Sequence, residues 1–206
     1  MNNDLLAWAR QLQAISQNGL TYAVNDYDRE RYAHVEKIAA EMMAATDPEV
    51  TPQNLVEFFN REAGHATPKV DVRAGVFRDD RILLVREISD GGWTLPGGWA
   101  DVGDSPSVAA VREVKEESGF DVKVTKLVAA YDRDRHPHPP IPYHAYKLFF
   151  LCELTGGAAA TSNETDGVDF FAEDKLPPLS LTRTLPEQIA LMFRHYREPG
   201  LATVFD

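Results

Sequence analysis

Apolar residues recur at spacings of three and four along residues 4–64. Leu5, Trp8, Leu12 and Ile15 make one such stripe, and Gly19 is expected to stop the helix that carries it. Tyr32, Val35, Ile38 and Met42 repeat the pattern. A third helix is predicted from Thr51 as N-cap with Pro52 at the first helical position, carrying Leu55, Phe58 and Phe59 and closing at Gly64. Three short helices bury little surface alone, so they are expected to pack on the rest of the chain or on a second copy. HATPK, residues 65–69, reads as a linker. The expected division is a helical extension over 1–66 and a second domain over 67–206.

From Val70 the texture changes to β-rich runs. VDVRAGVF and RILLVRE flank Asp79-Asp80, a hairpin signal. DVKVTKLVAAY reads as a strand, followed by the loop DRDRHPHPPIPYH and the strand AYKLFFLCEL. Gly156-Gly157 marks a turn, GVDFF a further strand, and Ile189, Met192 or Phe193, and Tyr196 a terminal helix from about Leu185. Strands around a central helix predict an α/β or α+β sandwich.

The central helix lies within GGWADVGDSPSVAAVREVKEESGF, residues 97–120. Ser105 suits an N-cap, Pro106 the first turn, and Gly119 a left-handed C-cap, giving a helix over Pro106–Ser118. On a wheel of roughly 100° per residue, Val108, Val111 and Val114 define the expected core face. Glu113, Glu116 and Glu117 gather opposite, with Lys115 near the valine edge. They sit at the negative end of the helix dipole, and Glu113 and Glu117 repel at i,i+4. A solvated acidic face accounts for this pattern as well as a hard divalent cation does. The glycine loop LPGGWADVGD shifts the balance, because Gly97, Gly98 and Gly103 allow close backbone approach to a ligand.

Charge and composition narrow the class. A net charge of -11 argues against a nucleic-acid backbone as partner, without opposing small phosphorylated substrates brought in by metal ions. The single cysteine, Cys152, lies in an apolar run, so no intramolecular disulfide is possible and a reducing compartment fits. No basic-then-apolar leader and no membrane-length apolar run are evident, so the expected location is cytoplasmic.

Gly98, five residues, Asp104, seven residues and then REVKEESGF (residues 112–120) together resemble the box of the Nudix hydrolases. Asp104 stands where the family has glutamate. The resemblance implies a mixed sheet sandwiched between helices, with the helical extension added. It also implies hydrolysis of a nucleoside diphosphate linked to another group. Glu113, Glu116 and Glu117 would be ligands of Mg2+ or Mn2+, with the backbone carbonyl near Gly98 a further ligand in some members. Arg112 would orient a box carboxylate through a bidentate pair. Glu164, in the polar turn TSNETDG, is the loop carboxylate expected to accept a proton, the alternative being an ordinary exposed acid. Asp104 is one methylene short, so it is expected to support the box through Arg112 or the helix N-terminus.

GLTYAVNDYDRERY, the HPHPP loop and FFAEDKLPPLSLTRT are similar to a bacterial subset of the family linked to ADP-ribose and CDP-choline. ADP-ribose leads, and CDP-choline is the alternative. A non-catalytic nucleotide sensor and an RNA-end pyrophosphohydrolase are the further alternatives. The apolar stripes of the extension suggest a homodimer. His136, His138 and His144 could suggest zinc, but the intervening prolines and the lack of a completing ligand set favour a rigid substrate-lining loop. Trp93, Trp99, Tyr131 and Tyr143 are candidates for stacking on a base or for partial core.

Overall fold

The amino-terminal repeats form three helices, α1 (Asn2–Tyr22), α2 (Asp26–Ala44) and α3 (Pro52–Phe59), in a computed structural model that describes residues 2–206. Asn25 and Thr51 cap α2 and α3 with side-chain oxygens that accept the Asp28 and Asn54 amides. Gly19 does not stop α1, which runs on to Tyr22. A Cβ at Gly19 would lie 2.3 Å from the Tyr32 ring, so glycine here serves the close approach of α2. α3 likewise ends at Asn60, before Gly64. Leu6, Ala9, Ala40, Met43, Leu55 and Phe59 make the core of these helices. The stripe read from the sequence is not that core, since Trp8 is 59% exposed and Ile15 55%.

The described residues up to Pro68, with Pro140–His144, form one compact unit; Lys69–Pro139 and Ala145–Asp206 form another. Within the first, Tyr143 packs on Phe58 and Arg10 donates to the Ile141 carbonyl.

The second unit holds β1 (Lys69–Arg78), β2 (Arg81–Glu87), β3 (Trp93–Thr94), α4 (Pro106–Ser118), β4 (Phe120–Asp132), β5 (Ala145–Gly157), β6 (Thr165–Phe171), α5 (Pro186–Arg197) and β7 (Val204–Phe205). The strands run in the order β3-β2-β1-β5-β4-β7, with β6 also on β2. β1 pairs β5 in parallel, while β1–β2, β2–β6 and β4–β5 are antiparallel, so the sheet is mixed. Asp79 and Asp80 turn the β1–β2 hairpin with φ of 53° and 54°, left-handed values that aspartate tolerates and a two-residue turn needs. Gly156 and Gly157 do not turn the chain but end β5, opposite Asp121 and Phe120.

Alternation along the strands separates two cores. Val72, Ala74 and Val76 pack with Ala109, Ala110 and Val114 of α4 on one face. Ile82, Leu84 and Phe149 pack with Ile189, Met192 and Phe193 of α5 on the other. Each of the larger apolar side chains contributes about 1.5–3 kcal/mol by leaving water. The predicted sandwich of a mixed sheet between helices is therefore present.

Candidate functional site

α4 has its predicted limits. The Ser105 hydroxyl accepts from the Val108 amide, and Gly119 closes the helix with φ 77°. Its orientation differs from the expected one. Val108 is 52% exposed, whereas Ala109, Ala110, Glu113, Val114 and Glu117 are buried. Valines at successive spacings of three drift around the helix, while 109, 110, 113, 114 and 117 form the true inward stripe. The alanines and Val114 fill the half of that stripe over β1, and Glu113 and Glu117 fill the half beside the glycine loop. Glu116 alone of the three is exposed.

The loop Leu95–Ala100 runs along β1 as an irregular strand. The Ala74 amide donates to the Pro96 carbonyl at 2.9 Å, Val72 to Gly98 at 2.8 Å, and Ala100 donates back to Val70 at 2.9 Å. Gly97 has φ +143°, and a Cβ there would lie 2.0 Å from the Val72 carbonyl oxygen, so only glycine fits. Its amide donates to Glu117 Oε2 at 2.8 Å. A Cβ on Gly98 would lie 3.1 Å from Glu113 Oε2, which places Gly98 against that carboxylate.

Arg112 ties the loop to the helix. It donates to Asp104 at 3.0 Å, Glu113 at 2.8 Å and Glu116 at 3.0 Å, and lies 3.2 Å from Asp101. The shorter Asp104 thus reaches Arg112, as expected from its position. Lys115 is exposed, pairs with Asp121 at 2.9 Å and donates to the Gly119 carbonyl at 3.1 Å.

Glu164 is exposed in the turn before β6. Its carbonyl accepts the Ile88 amide at 2.9 Å, and the next residue, Thr165, donates its hydroxyl to the Glu117 carbonyl at 2.8 Å. The turn is therefore pinned to the carboxylate end of α4.

Two further groups were not foreseen. Glu87, at the end of β2, is buried and pairs with Arg183 at 3.0 Å. Arg73 on β1 is buried beside Asp71, with Lys147 of β5 opposite. Charged residues at 71, 73 and 147 in otherwise apolar strands were the available signal. Burial raises the pKa of Glu87, Glu113 and Glu117, and Arg73 opposes it at all three. Arg183 also opposes it at Glu87, as Arg112 does at Glu113. Glu117 is pushed up to about 8 by burial, against the pull of Arg73 and the Gly97 amide. Burial thus favours the neutral form of Glu117 unless a positive charge sits beside it. Glu113, Glu116 and Glu117 present carboxylate oxygens of the kind that could hold a hard divalent cation, while the Gly98 carbonyl beside them already accepts the Val72 amide.

The proline loop is anchored by its histidines. His138 Nδ1 donates to the Leu181 carbonyl at 2.8 Å, and its Nε2 accepts from Gln188 at 2.9 Å. Burial lowers its pKa to about 4, so the ring is neutral. His136 lies 3.3 Å from Asp206 and against Tyr131. Among the aromatic candidates, Trp93 packs on Phe171 and Tyr131 on Phe149. Trp99, beside the glycine loop, is 41% exposed.

Residues 67–192 match the family model described as NUDIX domain, and residues 3–59 match one described as UDP-X-like, N-terminal oligomerisation domain. The chain is 46% identical over 198 residues to "Putative ADP-ribose pyrophosphatase YjhB" of Bacillus subtilis (strain 168), covering 96% of this chain and 95% of that protein. Among solved structures, an ADP-ribose pyrophosphatase from Streptococcus suis 89-1591 is 45% identical with a TM-score of 0.62, covering 68% of this chain and all (100%) of that one. A UDP-X diphosphatase is 33% identical with a TM-score of 0.64, covering 100% of this chain and 99% of that one.

Proposed function

We propose, for a chain that belongs to the NUDIX family of hydrolases, that it splits the pyrophosphate bond of ADP-ribose with Mg2+ or Mn2+ held by the α4 carboxylates. The observation that carries this reading is the convergence of Glu113 and Glu117 on the Gly97-Gly98 backbone, with Glu116 adjoining through Arg112. Bound divalent cations neutralise the diphosphate oxygens, polarise phosphorus and lower the pKa of a coordinated water. Glu113, Glu116, Glu117 and the Gly98 carbonyl are the proposed ligand atoms. Arg112 holds Glu113 and Glu116 in place through charge-assisted hydrogen bonds. Glu164 is the proposed proton acceptor, on a turn tied to Glu117 through Thr165. The products are two phosphomonoesters, AMP and ribose 5-phosphate.

A pyrimidine diphosphate such as CDP-choline is the second reading, favoured by the full-length likeness to a UDP-X diphosphatase. Comparing kcat/KM for ADP-ribose, CDP-choline, ATP and a triphosphate-ended RNA tests both. ADP-ribose is expected to exceed ATP by about tenfold or more, about 1.4 kcal/mol of transition-state binding. A preference for either triphosphate would overturn the assignment. The net charge of -11 disfavours RNA ends.

The chain acts as a homodimer in this reading, and in the cytoplasm. No described helix is long and apolar enough to cross a membrane. Trp8 and Ile15 present an uncovered apolar stripe in a segment matched by an oligomerisation-domain model. Placing glutamate at both positions is expected to halve the mass seen by light scattering without unfolding the chain. An unchanged mass would move the dimer contact elsewhere.

A further inference from the structure

Arg73 has more partners than a simple ion pair requires. Its Nε and one terminal nitrogen form a fork on Asp71 at 2.9 and 2.8 Å. Its other terminal nitrogen donates to the Thr94 hydroxyl at 3.3 Å and the Leu95 carbonyl at 3.1 Å. Asp71 already has a second cation, since Lys147 donates to it at 2.7 Å. Asp71 and Lys147 alone would make a neutral buried pair. A third charge beside them costs desolvation that their pairing does not need. All three side chains are buried, with Lys147 only 2% exposed.

The extra bonds of Arg73 lead to the site. Leu95 precedes Pro96, Gly97 and Gly98. The Gly97 amide meets Glu117, and Gly98 lies against Glu113. Besides Asp71, the buried acids Glu87, Glu113 and Glu117 lie near enough to feel its charge. Planar and always charged, guanidinium is the group that can hold a carboxylate fork and a backbone carbonyl together.

We propose that Arg73 is a positioning residue of the hydrolytic site, fixed by Asp71 and Lys147 and holding the Leu95 carbonyl so that Gly97 and Gly98 stay in register with Glu117 and Glu113. This rests on the reading of the α4 carboxylates as a metal site. Arg73 touches neither substrate nor metal in this role. Its loss therefore acts on turnover through geometry, where a displacement of about 1 Å can cost up to a hundredfold.

The test compares wild type, Arg73→Lys and Arg73→Gln. The readouts are Mn2+ binding to the metal-free protein by electron paramagnetic resonance, kcat and KM with ADP-ribose, and the thermal midpoint. Arg73→Lys keeps the charge but cannot span all four acceptors. It is expected to bind Mn2+ within about threefold of wild type and to lose about tenfold or more in kcat at unchanged KM. Arg73→Gln is expected to lose kcat further and to weaken Mn2+ binding by about tenfold. Folded variants with wild-type kcat and Mn2+ affinity, or with a loss confined to KM, overturn the proposal. If Arg73→Gln does not fold, Arg73→Lys decides alone, because it leaves no buried charge unpaired. Wild-type protein that binds no Mn2+ sinks the metal reading and this proposal together; normal binding with unaltered variants sinks this proposal only.

Discussion

Glu117→Gln will lower kcat in saturating Mg2+ by on the order of a hundredfold or more, about 3 kcal/mol of transition-state stabilisation, and will make the metal-free fold more stable. The two effects share one cause. Glu117 is 5% exposed, and its carboxyl is pushed up to about 8 by burial. Glutamine keeps an oxygen for the Gly97 amide but gives up the charge a cation needs. A carboxyl raised in the folded state stabilises the fold fully below the ordinary glutamate range and loses that contribution as pH rises toward about 8. At pH 8 in EDTA, wild type is therefore expected to melt below Glu117→Gln, with a difference on the order of 3 kcal/mol or roughly 6–10 °C. Glu116→Gln makes the contrast. Its carboxylate is exposed, so stability should move by no more than about 0.5 kcal/mol. Equal melting of all three proteins at pH 8 would show that Glu117 carries no buried charge.

Metal binding should follow the same proton. Below pH 8 a cation must displace it, so the apparent Mn2+ affinity is expected to rise about tenfold per pH unit between pH 6 and pH 7.5, and to level off above about 8. Burial also raises Glu113, which steepens the lower part of the curve. Calorimetry at pH 7 in two buffers of different ionisation enthalpy should report about one proton released per cation bound. In Glu117→Gln the slope should flatten. A pH-independent affinity in wild type would remove Glu117 from the ligand set.

Much of this architecture could be read from residues, and the misreadings share a form. Local chemistry was legible. Ser105, Pro106 and Gly119 bound α4 where capping preferences place them, and Asp79-Asp80 turn the predicted hairpin. Facing was harder. On α4 the valines suggested one core side, but small alanines let the helix sit close on β1 and carry two glutamates inward. On α1 the conspicuous Trp8 and Ile15 lie outside, while Leu6 and Ala9 are buried. Apolar character alone did not separate a face that packs within the chain from one left uncovered. Gly19 misled because the same residue type serves a helix stop and a close helix crossing. Of the candidate site, the helix carboxylates and Arg112 were visible through their spacing. Arg73, Glu87 and Lys147 were marked only as charges within apolar strands, and their roles stayed hidden because Lys147 and Glu87 pair with distant residues and Arg73 reaches beyond Asp71 to Thr94 and Leu95.

The parallel pairing of β1 with β5 has a bearing on how the chain acquires its site. Asp71 and Lys147 lie 76 positions apart in the sequence yet share one hydrogen bond at 2.7 Å. The glycine loop, α4 and the β1–β2 hairpin are near neighbours in the chain and can assemble over short loops. Closing β1 on β5 must wait for a long loop, the kind of contact that slows folding. Until then Asp71 has only part of its counter-charge and Arg73 lacks a settled anchor. The carboxylate end of α4 can thus be helical well before the framework behind it is set, and a chain halted there would carry the motif without the means to hold it in shape.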